Sequence, residues 1–151
     1  MHRVLVLGAG KIGALITGLL GESGGYAVAL ADVNPGVAAS VVKAHGLPKL
    51  SAYELDAANP DALRRHLAAH PVDAVVSSLP YYCNVAVAEA ARQANVHYFD
   101  LTEDVEVTRR VREIADRGER AFVPQCGLAP GFISIAAAEL IRHFDELRTV
   151  K

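Results

Sequence analysis

The chain carries only two cysteines, Cys83 and Cys126, among 151 residues, and two isolated thiols make no disulfide framework. It lacks an excess of either charge: 15 basic against 17 acidic side chains leave a net charge of −2, which provides no basic field for nucleic acid. No apolar run approaches the ~20 residues that span a bilayer. No repeat, low-complexity tract or linker interrupts the chain, and Met1-His2-Arg3 leads straight into an apolar strand without a signal-peptide pattern. Nucleic-acid and membrane partners are therefore not expected, and a reducing cytoplasm is the expected location. What is present is 52% hydrophobic content in a length suited to one core.

The most informative stretch is Val4-Leu5-Val6-Leu7-Gly8-Ala9-Gly10-Lys11-Ile12-Gly13, a short apolar strand running into G-x-G-x-x-G. The helical pattern Ala14–Leu20 follows it. In such a turn Gly8 permits a tight bend off the strand, Gly10 removes the Cβ that would block a pyrophosphate, and Gly13 lets the helix pack close to the sheet. Unpaired amides at the helix start, together with its partial positive charge, stabilise an anion without a basic side chain. A lone glycine pattern is weak, but a second strand, Tyr26–Ala31, ends in Asp32, about 20 residues further on, where the dinucleotide fingerprint places an acid. Asp32 accepts from both adenosine ribose hydroxyls in this reading and repels a 2′-phosphate. Val33, Asn34 and Pro35 offer no cation to receive one, so NAD is expected in preference to NADP. The competing reading makes Asp32 the N-cap of the next helix.

Beyond Asp32 the pattern alternates between helical and strand periods. Helices are expected at 35–45, 61–70, 84–95, 104–117 and 131–144, and strands at 49–55, 73–78, 97–101 and 121–125. Six strands alternating with helices predict an α/β Rossmann fold: a doubly wound parallel sheet, order 3-2-1-4-5-6, buried on both faces. Ligands of such sheets bind outside the carboxyl ends of the strands. Leu55 is then a candidate for the adenine slot, and Asp56 either accepts from the adenine amino group or caps the following helix. Ser78, Leu79 and Pro80 pass beside the pyrophosphate and nicotinamide ribose. The loops 100–103 and 126–131, with Gly127 as a cofactor contact, face the nicotinamide.

His97-Tyr98-Phe99-Asp100-Leu101-Thr102 and Cys126-Gly127-Leu128-Ala129-Pro130-Gly131 resemble the Y-[VF]-D-[LT]-[ST] strand and the G-[LV]-x-P-G turn of the saccharopine dehydrogenase superfamily. The glycine turn, Asp32 and Ser78-Leu79-Pro80 match in order and spacing, so the resemblance covers nearly the whole chain. Ala129 stands where saccharopine-forming reductases usually carry an acid, as in the lysine 6-dehydrogenase-like branch. The resemblance implies an NAD(P)-dependent oxidoreductase of lysine metabolism that moves a hydride between nicotinamide and a carbon bearing an amine. Family members are about twice as long, with a second domain that holds the amino-acid substrate and dimerises. Residues 1–145 are then the cofactor domain, and 146–151 the first strand of the second, a seventh strand cut short. The chain alone is expected to be inactive, with the substrate-binding arginines and lysines beyond Lys151.

No residue clearly fills the general acid or base role that the amine chemistry needs. Cys126 is expected as a small buried thiol, and Cys83 as a packing or capping residue whose thiolate a helix dipole would favour. His97 is expected to be structural. His2, His45, His66, His70 and His143 show no spacing that one helix or strand would bring together as ligands, so no metal site is expected. The mixed-sign run 103–117 reads as a solvated helix face with i,i+4 pairs Glu106–Arg110 and Glu113–Arg117. Two other readings remain open. One is a nucleotide-sensing regulatory module like the cytoplasmic domains of potassium transport systems, which have this length, a glycine turn and an acid ending the second strand. The other is a two-domain dehydrogenase acting on semialdehydes or hydroxy acids.

Overall fold

A computed structural model describes residues 1–149. The elements follow in order as β1 (His2–Leu7), α1 (Lys11–Glu22), β2 (Tyr26–Asp32), α2 (Pro35–His45), β3 (Leu50–Glu54), α3 (Pro60–Ala69) and β4 (Ala74–Ser77). A 3₁₀ turn (Tyr81–Cys83) then leads into α4 (Asn84–Gln93), β5 (His97–Asp100), α5 (Val105–Ala115), β6 (Phe122–Val123) and α6 (Phe132–Ile141). Local chemistry marks the starts of three of the six α-helices, α2, α3 and α5. Asn34 and Asn59 each precede a proline at the first helical position and accept from backbone amides of α2 and α3, and Asp104 accepts from Val107 N–H at the start of α5. Gly46 closes α2 with φ of 63°, a left-handed cap that costs glycine nothing.

All six strands pair in parallel, in the order β3-β2-β1-β4-β5-β6. Right-handed crossovers place the helices by direction of travel. The steps β1 to β2 and β2 to β3 carry α1 and α2 to one face; the return to β4 and the steps onward carry α3, α4 and α5 to the other. Two cores result. Leu5, Leu7, Val75 and Tyr98 pack against Leu63, Leu67, Val87 and Val111 on the three-helix face. Val4, Val6, Val28 and Leu30 pack against Ala38, Ile16 and Leu20 on the two-helix face. Each fully buried Leu or Val contributes roughly 1.5–3 kcal/mol.

The same handedness corrects the expectation of a sheet buried on both faces. Two helices cover β1 to β3 on their face and leave β4 to β6 bare. A groove of about 640 Å³ runs there, lined by Ile16, Leu20, Tyr26, Val76, Phe99 and Cys126. Helix α6 does not fill it; none of its residues is buried. Cys126 is exposed for this reason, not the buried thiol expected. Residues 146–149 form no strand, and Val150 and Lys151 of the expected seventh strand lie outside the described residues.

The solvated face of α5 is paired at i,i+3 rather than i,i+4. Arg109 binds Glu106, Arg110 binds Glu113 at 2.8 Å and reaches Glu89 on α4 at 3.8 Å, and Arg117 lies beside Asp116 beyond the helix end. Side chains that lean toward the preceding turn meet at three as readily as at four residues.

Candidate functional site

Sheet register assembles the site. Leu7 pairs with Ala31 on one side and Ser77 on the other, and Ser77 pairs with Asp100. The residues one step further, Gly8, Asp32, Ser78 and Leu101, therefore line a single edge at the carboxyl ends of the strands.

The three glycines occupy three different environments. Gly8 has φ of 94°, and its N–H bonds to Ala31 O at 2.8 Å. A Cβ on Gly13 would stand 1.8 Å from Gly8 O, so α1 approaches the turn more closely than any side chain allows. A Cβ on Gly10 would meet nothing within 4 Å. Gly10 is the N-cap of α1 and supplies no side-chain cap, and the first bond of the helix runs from Ala14 N–H to Gly10 O. The amides of Lys11, Ile12 and Gly13 thus have no acceptor within the helix, and the place of the missing Gly10 side chain in front of them is open.

Asp32 ties this turn to the second strand. Its Oδ2 accepts from Ala9 N–H at 2.7 Å and its Oδ1 from Asn34 N–H at 2.8 Å. The cap of α2 is Asn34, not Asp32, so the capping reading of Asp32 falls. Each carboxylate oxygen keeps a lone pair for a further donor. Val33 beside it is 67% exposed. On the other flank the Ser78 hydroxyl donates to Leu7 O at 2.8 Å and Gly8 O at 3.0 Å, which holds the turn from the β4 side. Leu79 is half-buried and Pro80 exposed on the same loop.

Leu55 is buried in the core below the edge. Asp56 caps no helix: its Oδ1 accepts from Ala58 N–H, and Asn59 starts α3. Gly127 lies across the sheet, bridged to Gly131 and 3.4 Å, measured from the Cβ it lacks, from Leu101 O. A second depression of about 540 Å³ lies between Ile12, Ser78, Tyr81 and the loop Leu101–Asp104, continuing the crevice away from Asp32.

Neither cysteine near this edge is held as a thiolate by its surroundings. Burial pushes the Cys83 thiol above its usual range, and the charge of Asp56 adds to the shift, so both oppose the thiolate that a helix start would favour. Desolvation likewise raises Cys126, whose thiol donates to Val123 O at 2.8 Å. His97 is structural in the plain sense that its Nδ1 accepts from Ala121 N–H at 3.0 Å. His66 and His70, four residues apart, do meet: their ring centroids lie 4.7 Å apart with the planes tilted by 41°, and both lie against Tyr53. His66 lies in the last turn of α3 and His70 just beyond it, and burial lowers the pKa of His66, with His70 adding to the effect.

Two features of this edge escaped sequence reasoning. Ser77 and Asn84 form a buried pair at 2.7 Å, and Tyr98 donates its hydroxyl to Asp100 at 2.7 Å. The two-residue spacing of Tyr98 and Asp100, which puts both on one face of a strand, was the available signal.

Fold and site together define a doubly wound dinucleotide-binding domain: a glycine turn with bare amides at the sheet's reversal point and an acid ending the neighbouring strand. The sequence profile described as saccharopine dehydrogenase NADP binding domain matches residues 4–123, and the chain belongs to that family. Its nucleotide is therefore NAD(P). Carboxynorspermidine synthase of Vibrio cholerae serotype O1 is 27% identical over 116 residues, covering 68% of this chain and 28% of that protein. Among solved structures, apo saccharopine dehydrogenase (L-Glu forming) from Saccharomyces cerevisiae superposes with a TM-score of 0.81 at 22% identity, over 95% of this chain and 31% of that one. A putative myo-inositol dehydrogenase from Sinorhizobium meliloti 1021 gives 0.70 at 23% identity, over 97% and 43%. The chain thus spans about a third or less of the first two relatives.

Proposed function

We propose that the chain is the NAD-binding domain of a dehydrogenase acting on the CH–NH group of an amino acid or related amine, of the saccharopine dehydrogenase or lysine 6-dehydrogenase type. The observation that carries the nucleotide site is the open space where a Gly10 side chain would stand, in front of an uncapped helix. A diphosphate fits there on main-chain donors, with the α1 dipole adding to the attraction. Gly8 shapes the turn, and the segment Ala9–Gly13 faces the phosphates. Asp32 and Val33 take the adenosine ribose, and Asp56 lies nearest the adenine with Leu55 packed beneath it. Ser78, Leu79 and Pro80 flank the second ribose, and Gly127 borders the nicotinamide.

When bound, the nicotinamide supplies the hydride acceptor or donor. The chain's own residues bind and orient it; the residues that hold the amine and move its proton belong to the longer protein. In this reading residues 1–145 form the nucleotide domain, and 146–151 begin a substrate and dimerisation domain of a cytoplasmic homodimer. Support comes from the family match and from the names of two relatives, a saccharopine dehydrogenase and a carboxynorspermidine synthase.

The choice of NAD rests on Asp32. A 2′-phosphate about 4 Å from its carboxylate is repelled by roughly 1 kcal/mol per charge in water and about 4 at an effective dielectric near 20. NADH is expected to bind at least about tenfold tighter than NADPH. Equal or tighter binding of NADPH in parallel titrations removes Asp32 from the role. Incubated alone with lysine or saccharopine and NAD, the chain is expected to turn over negligibly; steady oxidation contradicts the division of labour.

A further inference from the structure

Asp100 is a fully buried carboxylate with no cation among its donors. Its Oδ2 accepts from the Tyr98 hydroxyl at 2.7 Å, and its Oδ1 accepts from Thr102 N–H at 2.9 Å and from Gln125 N–H at 3.2 Å. Its main-chain carbonyl accepts from Cys126 N–H at 2.9 Å. One residue thus holds the exits of two strands: the loop after β5 through Thr102, and the loop after β6 through Gln125 and Cys126. Gln125 sits at φ of 62°, a left-handed conformation that a non-glycine residue keeps only when its surroundings enforce it. From Thr102 the order passes onward, since its Oγ1 accepts from Asp104 N–H at 3.1 Å and Asp104 caps α5.

These loops lie on the far side of the glycine turn from Asp32. Leu101, Thr102, Glu103 and Asp104 line the 540 Å³ depression that continues the crevice, and Gly127 follows directly on Cys126. A dinucleotide whose adenosine lies at Asp32 and whose diphosphate lies at Gly10 must send its second nucleoside toward them.

We propose that Asp100 is the positioning residue for the nicotinamide half of the crevice, locking the 101–104 and 125–127 loops to each other without touching the ligand. The proposal rests on the dinucleotide reading above. It requires an acceptor, not a charge. In Asp100→Asn the retained Oδ1 still accepts both amides, while Nδ2 donates to the Tyr98 oxygen and the Tyr98 hydroxyl donates to Asn84 O, already 3.3 Å away. An alanine leaves the buried Thr102 amide and the half-buried Gln125 amide without this acceptor.

The test compares NADH with ADP, which has the adenosine and diphosphate but no nicotinamide, by calorimetry on the unsubstituted chain, Asp100→Ala and Asp100→Asn. Asp100→Ala is expected to weaken NADH at least tenfold and ADP less than twofold, and Asp100→Asn to restore NADH to within about threefold. Equal weakening of both ligands, or no change in either, overturns the positioning role. If the unsubstituted chain binds neither ligand, the dinucleotide reading falls and this proposal with it. Should Asp100→Ala fail to fold, amide exchange at Thr102 and Gln125 in the unsubstituted chain is read instead. Saturating NADH is expected to slow both amides well beyond saturating ADP, and equal protection overturns the proposal.

Discussion

Replacing Gly10 by valine and Gly13 by alanine separates binding from folding at neighbouring positions of one turn. Gly10 has φ of −66° and ψ of −176°, a backbone any residue adopts, and its missing Cβ faces open space. Valine there costs at most about 1 kcal/mol of stability, as a poorer N-cap than glycine. A diphosphate using the α1 amides would nonetheless collide with the branched side chain. Charge-assisted hydrogen bonds contribute about 1.5–3 kcal/mol each, so losing two weakens NADH by roughly 10²–10⁴-fold. Gly13 behaves in the opposite way. Its Cβ would lie 1.8 Å from Gly8 O and 2.7 Å from Ser78 Oγ, and the first of these is backbone that cannot rotate aside. Overpacking of this kind costs about 1–3 kcal/mol or more, against which the better helix propensity of alanine returns about 1. The chain has no tryptophan, so NADH emission itself, or calorimetry, reads binding, and urea titration followed by circular dichroism reads stability. The expected pattern is a stable G10V that does not bind and a destabilised G13A. A G10V protein that binds NADH like the unsubstituted chain, or a G13A protein of undiminished stability, refutes the reasoning.

Removing the Ser78 hydroxyl as Ser78→Ala deletes its bonds to Leu7 O and Gly8 O and is expected to cost about 0.5–1.5 kcal/mol in urea denaturation, with weaker NADH binding; unchanged values in both assays refute its part in holding the turn. His66 is kept neutral by burial, with a folded pKa below the usual 6.5, and its Nε2 has no hydrogen-bond partner. The unfolded chain therefore takes up the proton first as pH falls. The stability associated with the neutral ring is complete above about pH 6.5 and declines below it, toward the lowered folded value. Melting temperatures at pH 7.5 and 5.5 should diverge in the unsubstituted chain and converge in part in His66→Leu; an equal pH response in the two proteins refutes the assignment.

Strands, helices, their order and the glycine turn were legible in the residues themselves. Apolar periodicity, Asn-x or Asp-x starts and the G-x-G-x-x-G spacing are local signals, written within a few residues of the structure they cause. Asp32 was found by its distance from that turn. Its bonds to Ala9 and Asn34 were not, because they join segments on two strands whose register is set only when the sheet forms. Of the two readings of Asp56 the capping one fell, and the α5 ion pairs formed at i,i+3, both differences at the level of a single turn, where several partners lie at nearly equal cost.

By itself, then, the amino-acid order determined a parallel α/β sheet with a bare-amide turn at its centre and a carboxylate on the next strand, since these depend on short-range periods and on the steric uniqueness of glycine. Only the tertiary structure decided three things: that β4 to β6 stay uncovered on one face, that Asp100 joins the exits of β5 and β6, and that His66 packs against His70 and Tyr53. Each depends on crossover handedness or on side chains converging from separate elements, and such distances arise from packing the whole sheet at once.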